Sequence, residues 1–125
     1  MEKYLLDSSI IIHILSASEK GVAAIELFDE AELSTSIICY CEVLNKINLE
    51  KIAKAQEFLS KLLVFGINTT DGETAIELQY NCRKTGKQVE TLDALIAATA
   101  INNNAVVISS DKDFERIEGV RKKLF

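Results

Sequence analysis

The sequence lacks the features that would divide it or direct it to a membrane. It contains no proline, no low-complexity stretch and no internal repeat, so no linker is indicated. No apolar run approaches the roughly 18 residues of a membrane span. The start, Met1–Asp7, has none of the basic, long apolar and small-residue regions of a secretory signal. We therefore expect one domain over residues 1–125, in the cytoplasm.

Cysteine and histidine are scarce, which argues against disulfides and zinc. The three cysteines cannot all pair, and Cys39 and Cys41 lack the CxxC spacing of redox and zinc sites. With a single histidine, His13, a Cys/His zinc site is hard to build. The apolar neighbours of His13 favour a structural role over general-base catalysis. We expect the three thiols to be small buried hydrophobic groups.

The charge balance at first argues against a nucleic-acid partner. The net charge is -5, whereas phosphate binding normally leaves a basic signature. Several acids gathered at one metal site would weaken this objection, because bound cations cancel part of their charge. The basic residues fall in local groups, which are either phosphate contacts or ordinary solvated helix faces. These groups are Lys46, Lys51 and Lys54; Arg83, Lys84 and Lys87; and Arg116, Arg121, Lys122 and Lys123.

Short apolar strand candidates alternate with helical segments. Strands are predicted at residues 4–6, 33–35, 65–67 and 105–108, and helices at about 10–15, 20–31, 37–49, 52–64, 70–86 and 91–101. Ser36 and Thr91 are predicted helix caps, and residue 70 or 71 is expected to open the helix before Gly86. This alternation is typical of an α/β domain with a parallel sheet covered by helices on both faces.

Two of the predicted strands run into aspartates. Asp7 follows the strand at 4–6, and Asp111 follows the strand at 105–108, with Asp113 close behind. Ligands of open α/β sheets bind beyond the carboxyl ends of the strands, so both positions are candidates for a functional site. Each aspartate alone is equally well explained as a helix cap or turn residue.

Asp93 and Glu42 differ in how readily ordinary structure explains them. One turn beyond Asp93 lie Ile96 and Ala97, so its carboxylate falls on an apolar helix face. An unpaired charge there costs on the order of several kcal/mol, and the helix dipole returns only about 0.3–1 kcal/mol. A cation would remove the difficulty. Glu42 shows no such anomaly, because Lys46 lies four residues later and can form a solvated ion pair with it.

Four segments resemble the motifs of the PIN-domain family, especially the VapC toxins of bacteria and archaea. Leu5–Ile12 resembles the opening of these domains, and Glu42–Leu44 resembles their central acidic motif. Thr91–Ala100 is very similar to the third motif, and Ser109–Ile117 resembles the fourth. The matches cover essentially the whole chain. They imply a three-layer α/β/α PIN-like nuclease domain with a mainly parallel central sheet of four or five short strands.

The resemblance also assigns roles to individual residues. The implied catalytic residues, which would also be direct or water-mediated metal ligands, are Asp7, Glu42, Asp93 and Asp111. Asp113 would be a supporting acid, and Ser9 would be the small polar residue that helps to arrange the site. Ser109 stands where a threonine is frequent in the family and keeps the hydroxyl. Glu90 adds an acid before the third motif, either as an outer group of the site or as a solvated residue at the helix start.

A ligand set made only of oxygens suits Mg²⁺ or Mn²⁺ rather than zinc. The resemblance implies a metal-dependent endoribonuclease that cleaves single-stranded RNA and leaves a 3′-hydroxyl and a 5′-phosphate. It also implies a homodimer and a cognate antitoxin whose tail occupies the acidic cleft, as in a type II toxin–antitoxin pair. Candidate phosphate contacts are Lys46, Arg83, Lys87 and Arg116.

Three other functions are alternatives to this one. An inert PIN-like binding or scaffold module would have no reason to keep costly clustered acids. An RNA-processing PIN nuclease without an antitoxin would share the same site. An aspartyl-phosphate enzyme, such as a phosphatase with Asp7 as nucleophile, usually carries another aspartate two residues on, where this sequence has Ser9.

Overall fold

The computed structural model describes all 125 residues, and a five-stranded sheet lies at its centre. The strands are β1 (Lys3–Leu6), β2 (Glu32–Ser36), β3 (Leu63–Phe65), β4 (Val106–Ser109) and β5 (Lys122–Leu124). Their order in the sheet is β3-β2-β1-β4-β5, and every neighbouring pair is parallel. The carboxyl ends of the strands therefore share one edge of the sheet, with β1 in the middle.

Six helices connect and cover the strands. They are α1 (Ser8–Leu15), α2 (Glu19–Ile25), α3 (Ile37–Lys46), α4 (Ile52–Ser60), α5 (Thr69–Lys84) and α6 (Thr91–Asn102). Short 3₁₀ turns lie at Leu49–Lys51 and Lys112–Arg116. Helical crossovers of this kind are what parallel strands need to be joined. The predicted α/β class and parallel sheet are confirmed.

Alternating side chains of the two central strands form two separate cores. Leu5 and Val107 belong to the core that contains residues of α5 and α6. Leu6 and Ile108 belong to the core that contains residues of α1, α2 and α4. All four side chains are fully buried. Because successive side chains of a strand point to opposite faces, helices cover both faces of the sheet, which is the three-layer arrangement.

The helix boundaries were predicted less well than the helices themselves. α2 ends at Ile25 rather than near residue 31, because the next backbone bonds close tight turns, such as Phe28 N–H to the Ile25 carbonyl. Val22 and Ile25, expected on its buried side, are 50% and 49% exposed. α3 ends at Lys46, where the following residue, Ile47, has extended backbone.

The region after α4 also differs from the prediction. The expected helix over 52–64 ends at Ser60, and the strand expected at 65–67 lies at Leu63–Phe65, paired with β2. β5 was not predicted at all. Lys122 and Lys123 break the apolar pattern, and this strand pairs only with β4 at the edge of the sheet, where charged residues are well tolerated.

The helix caps agree with the prediction in one case of three. Ser36 caps α3, since its side chain accepts a backbone N–H of the first turn. Thr91 is the first residue of α6, and Glu90 holds the cap position without a side-chain bond. α5 is opened by Asn68, not by residue 70 or 71. Its side chain forms a reciprocal capping box with Asp71.

All three thiols are free, but they are not all buried. Cys39 and Cys82 are buried, as expected. Cys41 is exposed, so the expectation of three buried thiols is wrong at that position. On α3, a residue two positions from the buried Cys39 points away from it, toward solvent.

α1 and α2 form a tightly packed, bent pair. A Cβ atom at Gly21 would lie 2.2 Å from the backbone carbonyl oxygen of His13, so only glycine fits there. The His13 ring Nδ1 lies 2.6 Å from the hydroxyl of Ser18, which caps α2. The structure thus places His13 at the junction of two helices, in the structural role expected. No single helix is long and apolar enough to cross a membrane; α1 and α2 reach that length and composition only together, with a bend of 103°.

Candidate metal centre at the carboxyl edge of the sheet

Asp7 lies at the carboxyl end of the central strand and is only 4% exposed. Its Oδ2 accepts hydrogen bonds from the hydroxyls of Ser9 at 2.8 Å and Ser109 at 2.7 Å. Its Oδ1 accepts one from the Cys39 thiol at 3.6 Å. Asp7 precedes α1, but its side chain makes no capping bond. The capping explanation is therefore wrong for Asp7, whose side chain is held by residues of three other elements.

Glu42 lies one turn beyond Cys39 on α3. Its Oε1 accepts a hydrogen bond from the Ser8 hydroxyl at 3.1 Å. None of the three ion pairs in the structure includes Glu42, so the predicted pair with Lys46 is wrong. Ligand atoms of Asp7, Cys39 and Glu42 instead lie within 4.8 Å of one another. Tertiary contacts across the sheet edge decide the position of Glu42.

A second acidic group lies at the start of α6 and just after β4. One oxygen from each of Asp93, Asp111 and Asp113 falls within 4.8 Å of the others. Asp111 Oδ1 also accepts the backbone N–H of Asp113 at 2.9 Å and so caps the 3₁₀ turn. The capping explanation is correct for Asp111, but it involves only one of its two carboxylate oxygens.

The two groups are electrostatically linked through Asp93. The pKa of Asp93 is raised to about 6, first by burial and then by the negative charges of nearby acids. These acids are Asp111, Asp7, Asp113 and Glu42. Ionising Asp93 therefore carries the free-energy cost that is expected for a charge on its apolar helix face. Since acids of both groups act on one carboxyl, the five carboxylates form a single acidic centre.

A pair of serine hydroxyls connects the ends of the two central strands. Ser9 Oγ and Ser109 Oγ lie 3.1 Å apart, and both contact Asp7. Ser9 Oγ also accepts the backbone N–H of Ser110 at 3.1 Å, and Ser109 Oγ accepts that of Asp111 at 2.9 Å. This network fixes the β4 segment, with Asp111, against Asp7.

The set of donor atoms fits a hard divalent cation. No lysine, arginine or histidine forms an ion pair with any acid of the centre, so their repulsion is not balanced within the protein. Carboxylate oxygens are the ligands that Mg²⁺ and Mn²⁺ prefer. Burial, and then the charge of Asp7, raises the pKa of Cys39 to about 12, which keeps it a neutral thiol. Sequence reasoning missed Cys39, although its position one turn before Glu42 placed both on one helix face.

Two of the four predicted phosphate contacts lie beside the acidic centre. Arg116 borders a recess of about 140 Å³ that is also bordered by Asp93 and Asp113. Lys87 and Lys112 border a neighbouring recess together with Arg116 and Asp113. Lys87 also pairs with Glu118 at 3.5 Å. Lys112 was not singled out from the sequence.

The other two predicted contacts lie elsewhere. Arg83 stacks over the Tyr80 ring, 5.4 Å from its centre, and borders a recess that contains none of the five clustered acids. Lys46 is exposed at the end of α3. Glu90 is exposed, as expected of a helix-start residue, and it also borders the recess shared by Asp93 and Arg116.

Comparison with known proteins agrees with this fold. The family model of the PIN domain matches residues 4–120. No curated protein matches the sequence significantly. Among solved structures, VapBC2 from Rickettsia felis bound to a promoter DNA fragment shares 21% identity over 98% of both chains, with a TM-score of 0.81.

Two further structures are slightly closer in sequence. DNA-bound VapBC from Salmonella typhimurium shares 25% identity over 98% of both chains, with a TM-score of 0.80. VapBC-1 from nontypeable Haemophilus influenzae shares 26% identity over 98% of this chain and 97% of that chain, with a TM-score of 0.76. PIN domains are in general nucleases that use divalent metals. The chain therefore belongs to the PIN domain family, and its fold is that of VapC-type toxins.

Proposed function

We propose that this protein is a Mg²⁺- or Mn²⁺-dependent endoribonuclease that cleaves phosphodiester bonds of single-stranded RNA. The observation that carries the proposal is the gathering of five carboxylates without a basic partner, where burial and then the neighbouring negative charges raise the pKa of Asp93 to about 6. Uncompensated acids at close range destabilise a fold unless a cation binds them. Residues 1–125 would act as one nuclease domain, working in the cytoplasm.

The acids divide into ligands and a supporting residue. The residues that would hold one or two divalent ions and so carry the catalysis are Asp7, Glu42, Asp93 and Asp111. A bound ion would supply positive charge to the scissile phosphate and lower the pKa of the attacking water. Ser9 and Ser109 both donate to Oδ2 of Asp7, so Oδ1, which the Cys39 thiol contacts at 3.6 Å, is the oxygen that would bind a metal. Asp113, exposed at the rim, would support Asp111.

The basic residues next to the acidic centre would position the RNA. Lys87, Lys112 and Arg116 border one recess with Asp113, so positive charge adjoins the acidic centre there. Phosphates are attracted to such groups. A single strand can bend so that a phosphate reaches the recess, whereas a rigid duplex cannot do so easily. Bound cations would then cancel part of the net charge of -5, and the RNA would contact these basic residues.

We further propose that the nuclease is the toxin of a type II toxin–antitoxin pair and that it forms a homodimer. The similar solved structures include a toxin–antitoxin complex from Klebsiella pneumoniae and several VapBC complexes, which supports an antitoxin partner. A tail with basic side chains would neutralise the unpaired acids in place of cations. Inhibition would follow from this competition at the acidic centre.

The test uses purified protein and a defined single-stranded RNA with Mg²⁺, with Mn²⁺ and with a chelator. We expect cleavage with either metal, none with the chelator, and products ending in a 5′-phosphate and a 3′-hydroxyl. Asp7→Asn and Asp93→Asn should each abolish cleavage. Asp29→Asn is the matched control, because it makes the same chemical change at an exposed position on a surface turn. Full activity of the Asp7 variant, or calorimetry that detects no metal binding, would refute the proposal.

A further inference from the structure

The recess beside Asp93 has a polar lining that the acidic centre uses only in part. Its volume is about 140 Å³, and it is bordered by Gln88, Val89, Glu90, Asp93, Asp113 and Arg116. Asp93 and Asp113 belong to the acidic centre as well. A group bound in the recess would therefore lie directly beside the proposed cleavage position.

Three side chains at this recess have no partner within the protein. Gln88, Glu90 and Arg116 take part in no side-chain hydrogen bond and in no ion pair. Glu90 and Arg116 carry opposite charges and border the same recess, yet they stay too far apart to pair. All three side chains are exposed, so their acceptors and donors border a space that is open to a ligand.

We infer that this recess binds a guanine base of the RNA next to the cleaved phosphodiester, an inference that rests on the proposed function. Guanine presents two acceptors, O6 and N7, which match the forked donors of an arginine such as Arg116. Its neighbouring edge presents the N1–H and N2–H₂ donors, which match the two oxygens of a carboxylate such as Glu90. Unstacked bases of single strands are recognised on these edges.

The other bases match this pair of groups less well. Adenine has an amino donor where guanine has O6, so the guanidinium fork loses one of its two acceptors. Cytosine and uracil have no N7, and neither offers two adjacent donors to Glu90. Gln88, whose amide both donates and accepts, would add a contact without changing this order of preference among the bases. A recess bordered by both the carboxylate of Glu90 and the guanidinium of Arg116 therefore favours guanine.

The first test measures binding apart from cleavage. Fluorescent oligouridylates with one central guanosine, adenosine or cytidine are titrated with the Asp7→Asn protein in the presence of Mg²⁺. Asp7 does not border the recess, so this background keeps the base site intact. We expect guanosine to bind at least about tenfold more tightly than the other bases, the size of a good bidentate contact. Wild-type protein should cleave beside the guanosine with a similar preference.

Two modified bases and two substitutions then test each contact. Inosine lacks the N2 amino group that we assign to Glu90, and 7-deazaguanosine lacks the N7 that we assign to Arg116. Glu90→Gln should make guanosine and inosine bind equally. Arg116→Lys keeps the positive charge but loses the forked pair of donors. Guanosine and 7-deazaguanosine should then bind with equal affinity, while the general affinity for RNA remains. Glu115→Gln is the control, since Glu115 borders only the neighbouring recess of the two.

The outcomes separate this inference from the proposed function. Equal binding of all four bases would overturn the guanine site even if the protein cleaves RNA. Guanosine-selective binding without any metal-dependent cleavage would overturn the nuclease proposal and leave the base site standing. Loss of selectivity in the Glu115 variant to the same extent as in the Glu90 variant would also contradict the assignment.

Discussion

The hydroxyl of Ser109 donates a 2.7 Å hydrogen bond to Oδ2 of Asp7, although the two residues are 102 positions apart in the sequence. The same hydroxyl accepts the backbone N–H of Asp111 at 2.9 Å. One buried side chain therefore orients Asp7 and fixes the backbone that carries Asp111. The geometry of the acidic centre depends on this contact between the two central strands.

Ser109→Ala should lower the free energy of unfolding by about 1.5–3 kcal/mol, because it removes a hydrogen bond to a buried charged group. It should also weaken Mg²⁺ binding, since Asp7 loses one of its fixed donors. Urea denaturation and calorimetry measure the two effects. Ser110→Ala is the control, because only the backbone of Ser110 takes part in the network. Equal stability of the two variants would show that the hydroxyl contact is unimportant.

The raised pKa of Asp93 predicts a pH-dependent stability of the metal-free protein. The folded-state pKa is about 6, whereas the ordinary pKa of an aspartate is 3.8, so the folded state holds this proton more tightly. Stability should therefore fall as pH rises from about 4 to about 6 and stay lower above it. Solvent screening limits the loss to on the order of 1–2 kcal/mol. Urea unfolding in the presence of a chelator measures the free energy of unfolding of wild type and of Asp93→Asn. The variant should become increasingly more stable than wild type as pH rises across this range.

The affinity for Mg²⁺ should depend on the same titration of Asp93, but it should increase as pH rises. A cation needs the ionised carboxylate, so Mg²⁺ affinity should rise with pH through about 6, the folded-state pKa of Asp93. Calorimetry at that pH in two buffers with different ionisation enthalpies should reveal proton release on binding. A heat that does not depend on the buffer would contradict a role for Asp93 as a ligand.

The three cysteines should differ in reactivity in the native protein. Cys41 is exposed, whereas Cys39 and Cys82 are buried, and burial and the charge of Asp7 raise the pKa of Cys39 to about 12. Thiolates are the reactive form, so a thiol reagent should label one site quickly and the other two only after unfolding. Cys41→Ser should remove the fast phase. A fast phase that persists in this variant would place another thiol at the surface.

Two glycine substitutions should shift stability in opposite directions. Gly21→Ala would place a Cβ 2.2 Å from the His13 carbonyl oxygen and force α1 and α2 apart, at a cost of about 1–3 kcal/mol. Gly72→Ala meets no atom within 4 Å on α5 and should stabilise the helix by about 0.5–1 kcal/mol. Thermal denaturation of both proteins tests the pair. Equal melting temperatures would contradict the tight packing at Gly21.

The fold was predictable where local pattern and burial agree. The apolar run before Ser109 has the pattern of a buried strand, and β4 lies there. Asp93 was recognisable because its helix neighbours are apolar, which is a local property. β5 was not predictable, because Lys122 and Lys123 are stable there only through pairing with the edge of β4.

The site was less predictable from local physics than the fold. Glu42 has a plausible partner four residues away, and only contacts with Ser8 and the Asp7 region draw it to the sheet edge. The family resemblance supplied what spacing alone did not. The thiol contact of Cys39 with Asp7 and the recess lined by Glu90 arise from packing between separate elements, which sequence periodicity does not encode.

The sheet order has a consequence for how the protein is made. Asp7 directly follows the first strand, but β4, which carries its partner Ser109, is the fourth of five strands in the chain. A nascent chain cannot assemble the acidic centre until residues past 111 have left the ribosome. Long-range strand pairing of this kind is also slow. Newly synthesised copies therefore pass through an interval in which the five carboxylates have not yet come together.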